Sequence, residues 1–299
     1  MMNNKRDFLI EKCKDRYKFL KETGYNVLAV MLYGSQNYDL DTIDSDIDVK
    51  AILLPSLDDL IQNKSPISKN IEYENGLIEL KDIREFYRTI KKGNPAYLEV
   101  LVSDYRYGEG DLYKTFEDTF CNKNLIDMYV QSIADRFYNA CYGIMLQKQK
   151  ALTHPYPSIQ DKIDRYGFDS KQLHHIIRLY HIILELFYNF GYSEAIVPNY
   201  FAKNLMMEIK DMSYFKKSYE ENIQEAKDMA KHYISMVEKY SPNFSAKETA
   251  NIIEKSLYNT MNKIIKGNIL SSIIKFDAFF IVDIVKFLFY TLRFKKYVA

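Results

Sequence analysis

The segment from Leu32 to Val49 constrains this chain more than any other. An apolar run, Asn26 to Tyr33, ends in Gly34-Ser35; a polar spacer follows, and a second β-branched run opens with Asp46-Ile47-Asp48. Side chains alternate along a strand, so Asp46 and Asp48 project together, with Cα atoms ~6.6 Å apart. Two carboxylates brought to about 5 Å repel by roughly 3 kcal/mol at an effective dielectric near 20, a cost that a cation relieves. Mg²⁺ suits such a pair because it takes hard oxygen ligands and leaves positions for water and substrate phosphate. Gly34 lacks a Cβ, so backbone N–H groups there can approach phosphate oxygens, and the Ser35 hydroxyl adds a donor. Taken singly, Gly-Ser is a turn and Asp-x-Asp a solvated strand edge; their order and apolar flanks point to a triphosphate cradle beside a metal dyad.

The rest of the chain splits in character near residue 105. Before it, short β-branched runs (26–33, 47–54, 71–73, 77–81) alternate with turn signals, and Glu74-Asn75-Gly76 marks a tight hairpin. Helices are expected over 5–21, after Ser56, and over 82–92, where Asp82 and Glu85 have capping-box spacing and Gly93 is the stop. Asn94-Pro95 then caps and opens another helix. Beyond about residue 125 the apolar spacing is helical (125–152, 171–190, 217–240, 246–265 and the C-terminal stretch), and glycine nearly vanishes. Residues 105–124 are expected to connect the halves, and 153–169 to form a loop. The fold class is therefore α+β: a small mixed sheet with helices over 1–105, then a mostly helical domain over 106–299.

With 299 residues the chain can bury a large core unaided, and 41 basic against 40 acidic side chains exclude a broad positive field. Cys13, Cys121 and Cys141 are widely spaced and outside any metal-ligand motif, which favours free thiols in a reducing compartment. No signal-peptide pattern opens the chain, and the greasiest stretch, 269–294, carries Lys275, Asp277, Asp283 and Lys286, so a soluble, cytoplasmic protein without membrane contact is expected. The excess of lysine after residue 260 reads as a solvated helix face, and the apolar positions between 279 and 289 as buried core or a subunit interface. Oligomeric state is not legible.

A two-metal phosphoryl-transfer site needs a third carboxylate. Glu79, between Ile78 and Leu80, has the same flanks as Asp48 between Ile47 and Val49; a solvent-facing strand position explains it equally well. Asp82 competes, but capping a helix accounts for it, and Asp44 reads as loop.

Gly34-Ser35, the spacer, Asp46-Ile47-Asp48 and Ile78-Glu79-Leu80 resemble the signature of the DNA polymerase beta nucleotidyltransferase superfamily. Gly34-Ser35-x-x-Tyr38-x-Leu40, Ser45-Asp46-Ile47-Asp48, Lys92-Gly93-Asn94-Pro95 and Glu99-x-Leu101 resemble its bacterial and phage branch of RNA-ligase-associated nucleotidyltransferases. Asp39 stands where that branch has glycine. The resemblance covers the first hundred residues and extends to Asp169-x-Lys171-x-x-x-His175-x-x-Arg178 in the helical half, where the three basic residues fall at i, i+4 and i+7 on one helix face.

The resemblance implies Mg²⁺-dependent transfer of a nucleoside monophosphate from an NTP to an acceptor hydroxyl, RNA being one candidate, with release of pyrophosphate. Asp46, Asp48 and Glu79 would be the catalytic carboxylates and hold two ions. Gly34, Ser35, Lys171 and Arg178 would grip the polyphosphate, His175 would donate a hydrogen bond or orient a base, and Asn94 would touch the nucleotide. Tyr33, Tyr38 and Tyr97 are candidates for stacking on a base. A small-molecule or protein acceptor, as in AMPylation, and a non-catalytic nucleotide-binding module are the alternatives.

Overall fold

The structure, a computed structural model, describes residues 2–42, 45–188, 190–239 and 246–295, with side chains of 5–157 and 159–273 within them. Asp44 and the side chains of the C-terminal run beyond 273 lie outside the described residues.

Strands β1 (Val27–Tyr33), β2 (Asp48–Leu53), β3 (Ser68–Tyr73), β4 (Gly76–Asp82) and β5 (Arg106–Gly108) form one mixed sheet in the order β3-β4-β2-β1-β5. β1 is apolar at nearly every position because both its faces are covered. It pairs antiparallel with β2 and β5, while β2 runs parallel to β4 and β3 closes a hairpin on β4 across Glu74-Asn75. α1 (Met2–Glu22) covers one face through Leu9, Cys13, Tyr17 and Leu20, against Val30, Leu32, Val49, Ala51, Ile78 and Leu80. The opposite face carries Ala29, Met31 and Ile52 towards the helices that follow.

α2 (Leu57–Ile61) starts with a capping box between Ser56 and Asp59. α3 (Ile83–Lys91) is capped by Asp82, but the reciprocal partner is not Glu85: Arg84 turns back on the Asp82 carboxylate while Glu85 pairs with Arg88. α4 (Pro95–Val102) has the expected Asn94 cap and Pro95 in its first turn.

Two stretches expected to be irregular are ordered. Residues 105–124 hold β5, an edge strand too short to show a period, and α5 (Gly110–Phe120), which buries Phe116 and Phe120. Residues 153–169 contain a short helix, α8 (Gln160–Tyr166), which ends on the left-handed Gly167.

The remaining helices are α6 (Lys123–Ser132), α7 (Ala134–Ala151), α8 (Gln160–Tyr166), α9 (Ser170–Phe187), α10 (Tyr192–Ala195), α11 (Tyr200–Lys210), α12 (Tyr219–Glu238) and α13 (Lys247–Lys295). The architecture is α+β. One cluster of buried side chains runs from Leu28 on the sheet through α4, α6 and α9 to Ile264 on α13, so both halves share a core. α13 is tied down by polar contacts as well: Glu254 accepts from Tyr129, Arg136 and Lys91, and Asn268 bonds Asn26 and the Pro55 carbonyl. Cys13, Cys121 and Cys141 are free and buried. Among the described residues no helix is long and apolar enough to cross a membrane.

Two glycines make opposite predictions. A Cβ on Gly76 would sit 2.1 Å from the Ile47 carbonyl oxygen, backbone that cannot step aside without moving the strand between the two aspartates. Gly76→Ala should cost about 1–3 kcal/mol in urea unfolding. Gly143, inside α7 with nothing within 4 Å, should gain up to about 1 kcal/mol as alanine. Equal effects at the two sites would contradict this packing.

Candidate active site

Gly34 adopts φ 84°, a left-handed conformation that side chains disfavour, and so turns the end of β1 into a short 3-10 turn over Ser35–Tyr38. The Gly34 carbonyl accepts from Asn37 N–H at 2.9 Å and the Ser35 carbonyl from Leu40 N–H at 3.0 Å. Asp39, where the resembling branch has glycine, closes the turn at φ 57°. Aspartate is among the few residues that enter this region routinely, so the glycine-like turn survives, with Lys5 3.4 Å from its carboxylate.

The Asp48 carboxylate lies under that turn. Its Oδ1 accepts the Leu77 N–H at 2.9 Å, and its Oδ2 lies 3.7 Å from where a Cβ on Gly34 would project. Asp46 is exposed just before the strand. Among the described residues neither aspartate has a lysine or arginine within ion-pair distance, although acids elsewhere on this sheet do. Two hard-oxygen side chains without a counter-cation, one keeping an oxygen clear of protein donors, fit a divalent cation.

Glu79 is placed differently. Parallel pairing sets Lys50 against Glu79, so by alternation Asp48, Lys50 and Glu79 share one sheet face. The Glu79 carboxylate is nevertheless occupied: one oxygen takes the Lys50 ammonium, the other the Tyr97 hydroxyl, with Lys81 3.7 Å away. Burial, the largest single influence, would raise its carboxyl pKa, but Lys50, Tyr97 and Lys81 together outweigh it and hold the carboxyl below the usual range. Among the described residues no three His, Cys, Asp or Glu side chains gather closely enough to hold a metal, so the expected convergence of three acids is not present in this state.

The basic stripe on α9 also divides. Lys171 is exposed in the first turn, behind the Asp169 cap. Arg178 is 6% exposed: its Nη2 donates to Glu99 of α4 at 2.5 Å, and its guanidinium stacks 3.6 Å from the ring centre of Tyr38. It braces the Gly-Ser turn from behind, which corrects the expectation of an open phosphate contact. His175 is half-buried and His174 buried; desolvation foremost, then neighbouring cations, keeps both neutral. The stripe is therefore charged only at its ends. Asn94 spends its side-chain oxygen on the Ala96 N–H as the cap of α4. Tyr38 is buried under Arg178, and Tyr33 and Tyr97 face Lys50.

Two cations escaped the sequence reading. Lys50 stands two residues after Asp48, so alternation alone put it on the same face as the acid. Lys210, the last residue of α11, reaches back to the Leu40 carbonyl at 2.7 Å and to Ser45 Oγ at 3.4 Å, close enough to Asp46 to feel its charge. Burial and Lys171 lower the Lys210 pKa, as they do for Lys148. Lys171 thus lies near enough to both Lys148 and Lys210 to repel them, and Lys210 carries this positive charge to the segment that follows the Gly-Ser turn, which no local pattern announces. Asn37 Nδ2 in the turn, and His174 Nε2 and Arg178 Nε on α9, are buried without hydrogen-bond partners.

Removing the Arg178 guanidinium strands Glu99, itself 3% exposed, so Arg178→Met should cost about 3–5 kcal/mol in urea unfolding. Wild-type stability at Arg178→Met would refute the brace.

The histidines set a pH dependence. The His174 pKa is pushed down to about 3 by burial and then by the charges of Arg178, Lys210 and Lys171; the unfolded chain protonates near 6.5. A depressed histidine makes its full contribution above the unfolded value and loses it as pH falls. Urea unfolding should therefore show roughly 2 kcal/mol lost between pH 7 and pH 5 through this residue, absent in His174→Leu. Parallel pH profiles for the two proteins would contradict the assignment.

No curated protein matches the chain. Among solved structures, a nucleotidyltransferase-like protein from Exiguobacterium sibiricum 255-15 aligns with a TM-score of 0.31 at 11% identity, over 77% of this chain and 76% of that one. The family model described as the RNA repair pathway DNA polymerase beta family, RlaP, matches residues 12–179, more than half of the chain, and spans the Gly-Ser turn, all three acids and the α9 stripe. The chain belongs to that family and is a nucleotidyltransferase of the DNA polymerase beta superfamily.

Proposed function

We propose that this protein transfers a nucleoside monophosphate from an NTP to an acceptor hydroxyl, with pyrophosphate leaving, and that the acceptor is RNA. The observation that carries the reading is the Asp48 carboxylate under the left-handed Gly34 turn, with Asp46 just before it, neither in a lysine or arginine ion pair among the described residues, and Lys210 reaching to the loop between turn and strand. A nucleoside triphosphate with Mg²⁺ supplies what each lacks. The family's description as an RNA repair pathway supports RNA as the acceptor.

In this reading the backbone at Gly34 and the Ser35 hydroxyl hold the triphosphate, and Lys171 and Lys210 take up charge on the β- and γ-phosphates as the bond to the α-phosphate breaks. Asp46 and Asp48 would hold magnesium, with Glu79 as the third ligand; the ion would neutralise the phosphates and polarise the attacked phosphorus. Glu79 would also draw the acceptor hydroxyl into line for attack at the α-phosphorus and help take up its proton. Arg178 acts from behind by fixing Tyr38, so that the turn does not relax when the phosphates arrive. The neutral His175 adds a hydrogen bond rather than charge, and Asn94 fixes the start of α4, beside which a base would lie. The helical half closes the cleft from the α9 side. Positioning and charge neutralisation carry the reaction, and no covalent enzyme intermediate is required.

Asp48→Asn keeps the shape and the Leu77 N–H contact but removes the charge. With labelled NTPs and an RNA, protein and metabolite panel, pyrophosphate release should fall by at least about 10²–10³-fold, with an unchanged melting temperature. Turnover near the wild-type rate would refute the site, and turnover only with a metabolite or protein acceptor would refute RNA.

A further inference from the structure

Lys50 has two sets of partners. It is 2% exposed, and its ammonium meets Glu79 on the neighbouring strand. The same ammonium also lies 3.9 Å from the ring centre of Tyr33 and 4.5 Å from that of Tyr97. An ion pair this buried is ordinarily costly to break, because the remaining charge loses its partner. Here that cost is reduced, since two aromatic faces attract the ammonium whether or not the carboxylate stays. Glu79, for its part, points out from the same sheet face as Asp48, two residue pairs along and one strand across. It is more exposed than Lys50, with 21% of its side chain open against 3%. The carboxylate is therefore the member of the pair that can leave.

We propose that Lys50 is a displaceable counter-ion that competes with the divalent cation for Glu79, the tyrosine cage holding the ammonium once the carboxylate turns to the metal. This rests on the reading of Asp46, Asp48 and Glu79 as the metal-binding acids. A ligand shifts such an equilibrium only by binding one arrangement better than the other, so the grip of Lys50 and Tyr97 on Glu79 sets how much cation is needed to assemble the site. Lys50 is a positioning residue; it acts through Glu79.

The test is direct binding of Mn²⁺, followed by its electron paramagnetic resonance signal without nucleotide or acceptor. Lys50→Met should bind Mn²⁺ roughly fivefold or more tightly than wild type. Tyr97→Phe, which keeps the ring and removes the hydroxyl donated to Glu79, should tighten binding by a smaller factor. Glu79→Gln should weaken it, and adding Lys50→Met to Glu79→Gln should change nothing further. A general field effect of the missing lysine would instead persist in that double variant, which overturns the proposal. Unchanged or weaker binding in Lys50→Met, shown folded by its melting curve, also overturns it. Should Lys50→Met fail to fold, Tyr97→Phe decides, and unchanged affinity there counts against the proposal. Asp48→Asn separates the levels: if it leaves wild-type Mn²⁺ binding intact, the dyad reading fails and the proposal with it. If it abolishes binding while Lys50→Met does not tighten it, only the competition is refuted.

Discussion

The buried pair of Glu99 and Arg178 is the contact on which the arrangement turns. It joins α4, which packs against β1, to α9, the central helix of the second half, and its arginine stacks on Tyr38 in the turn after β1. A charged pair with so little water around it contributes little net stability, and its value lies in what breaking it would cost. Because neither partner tolerates being left alone, the helical half is held in one place against the turn, and the Gly34 conformation is braced before any ligand binds. That is preorganisation in the sense that matters for phosphoryl transfer, where the protein supplies position and field rather than a nucleophile.

Around this brace the charges are sorted by how they are neutralised. Glu79, Glu99, Asp82 and Glu254 each have a cationic partner within the protein. Asp46 and Asp48 do not, and Lys171 and Lys210 repel each other without acidic ion pairs among the described residues. Fully satisfied charges build structure; unsatisfied ones of both signs, side by side, mark where a charged ligand completes the balance. The neutral His174 and His175 fit the same pattern, since a charged imidazole there would add repulsion to the cations already near it.

Much of this was legible in the residues themselves, where the deciding relation is local. β-Branched runs between turn signals identified β1, β2 and β4, and Ser56, Asp82 and Asn94 marked helix starts correctly. A turn at Gly34-Ser35 was legible from Gly-Ser after an apolar run, while its left-handed φ emerged only in the structure. What escaped was non-local or too short to show a period. β5 gains its identity from pairing with β1, and α5 and α8 lie in stretches whose glycines and prolines read as loop. The pairing of Arg178 with Glu99, 79 residues apart, turned an expected phosphate contact into a brace. The reach of Lys210 to Leu40, 170 residues away, supplied a cation that no motif contained. Glu79 was located on the right strand and face, but its resting partner, Lys50, was visible only once the register of β2 on β4 was known.

The central claim is that the two unpaired aspartates and the Gly34-Ser35 turn together receive a metal-bound triphosphate. A crystal structure with Mg²⁺ and a non-hydrolysable NTP analogue tests it most directly. The account predicts density for an ion between the Asp46 and Asp48 carboxylates and the triphosphate, with phosphate oxygens on the backbone at Gly34 and Ser35. A triphosphate bound elsewhere, or an ion that bypasses both aspartates, would contradict it.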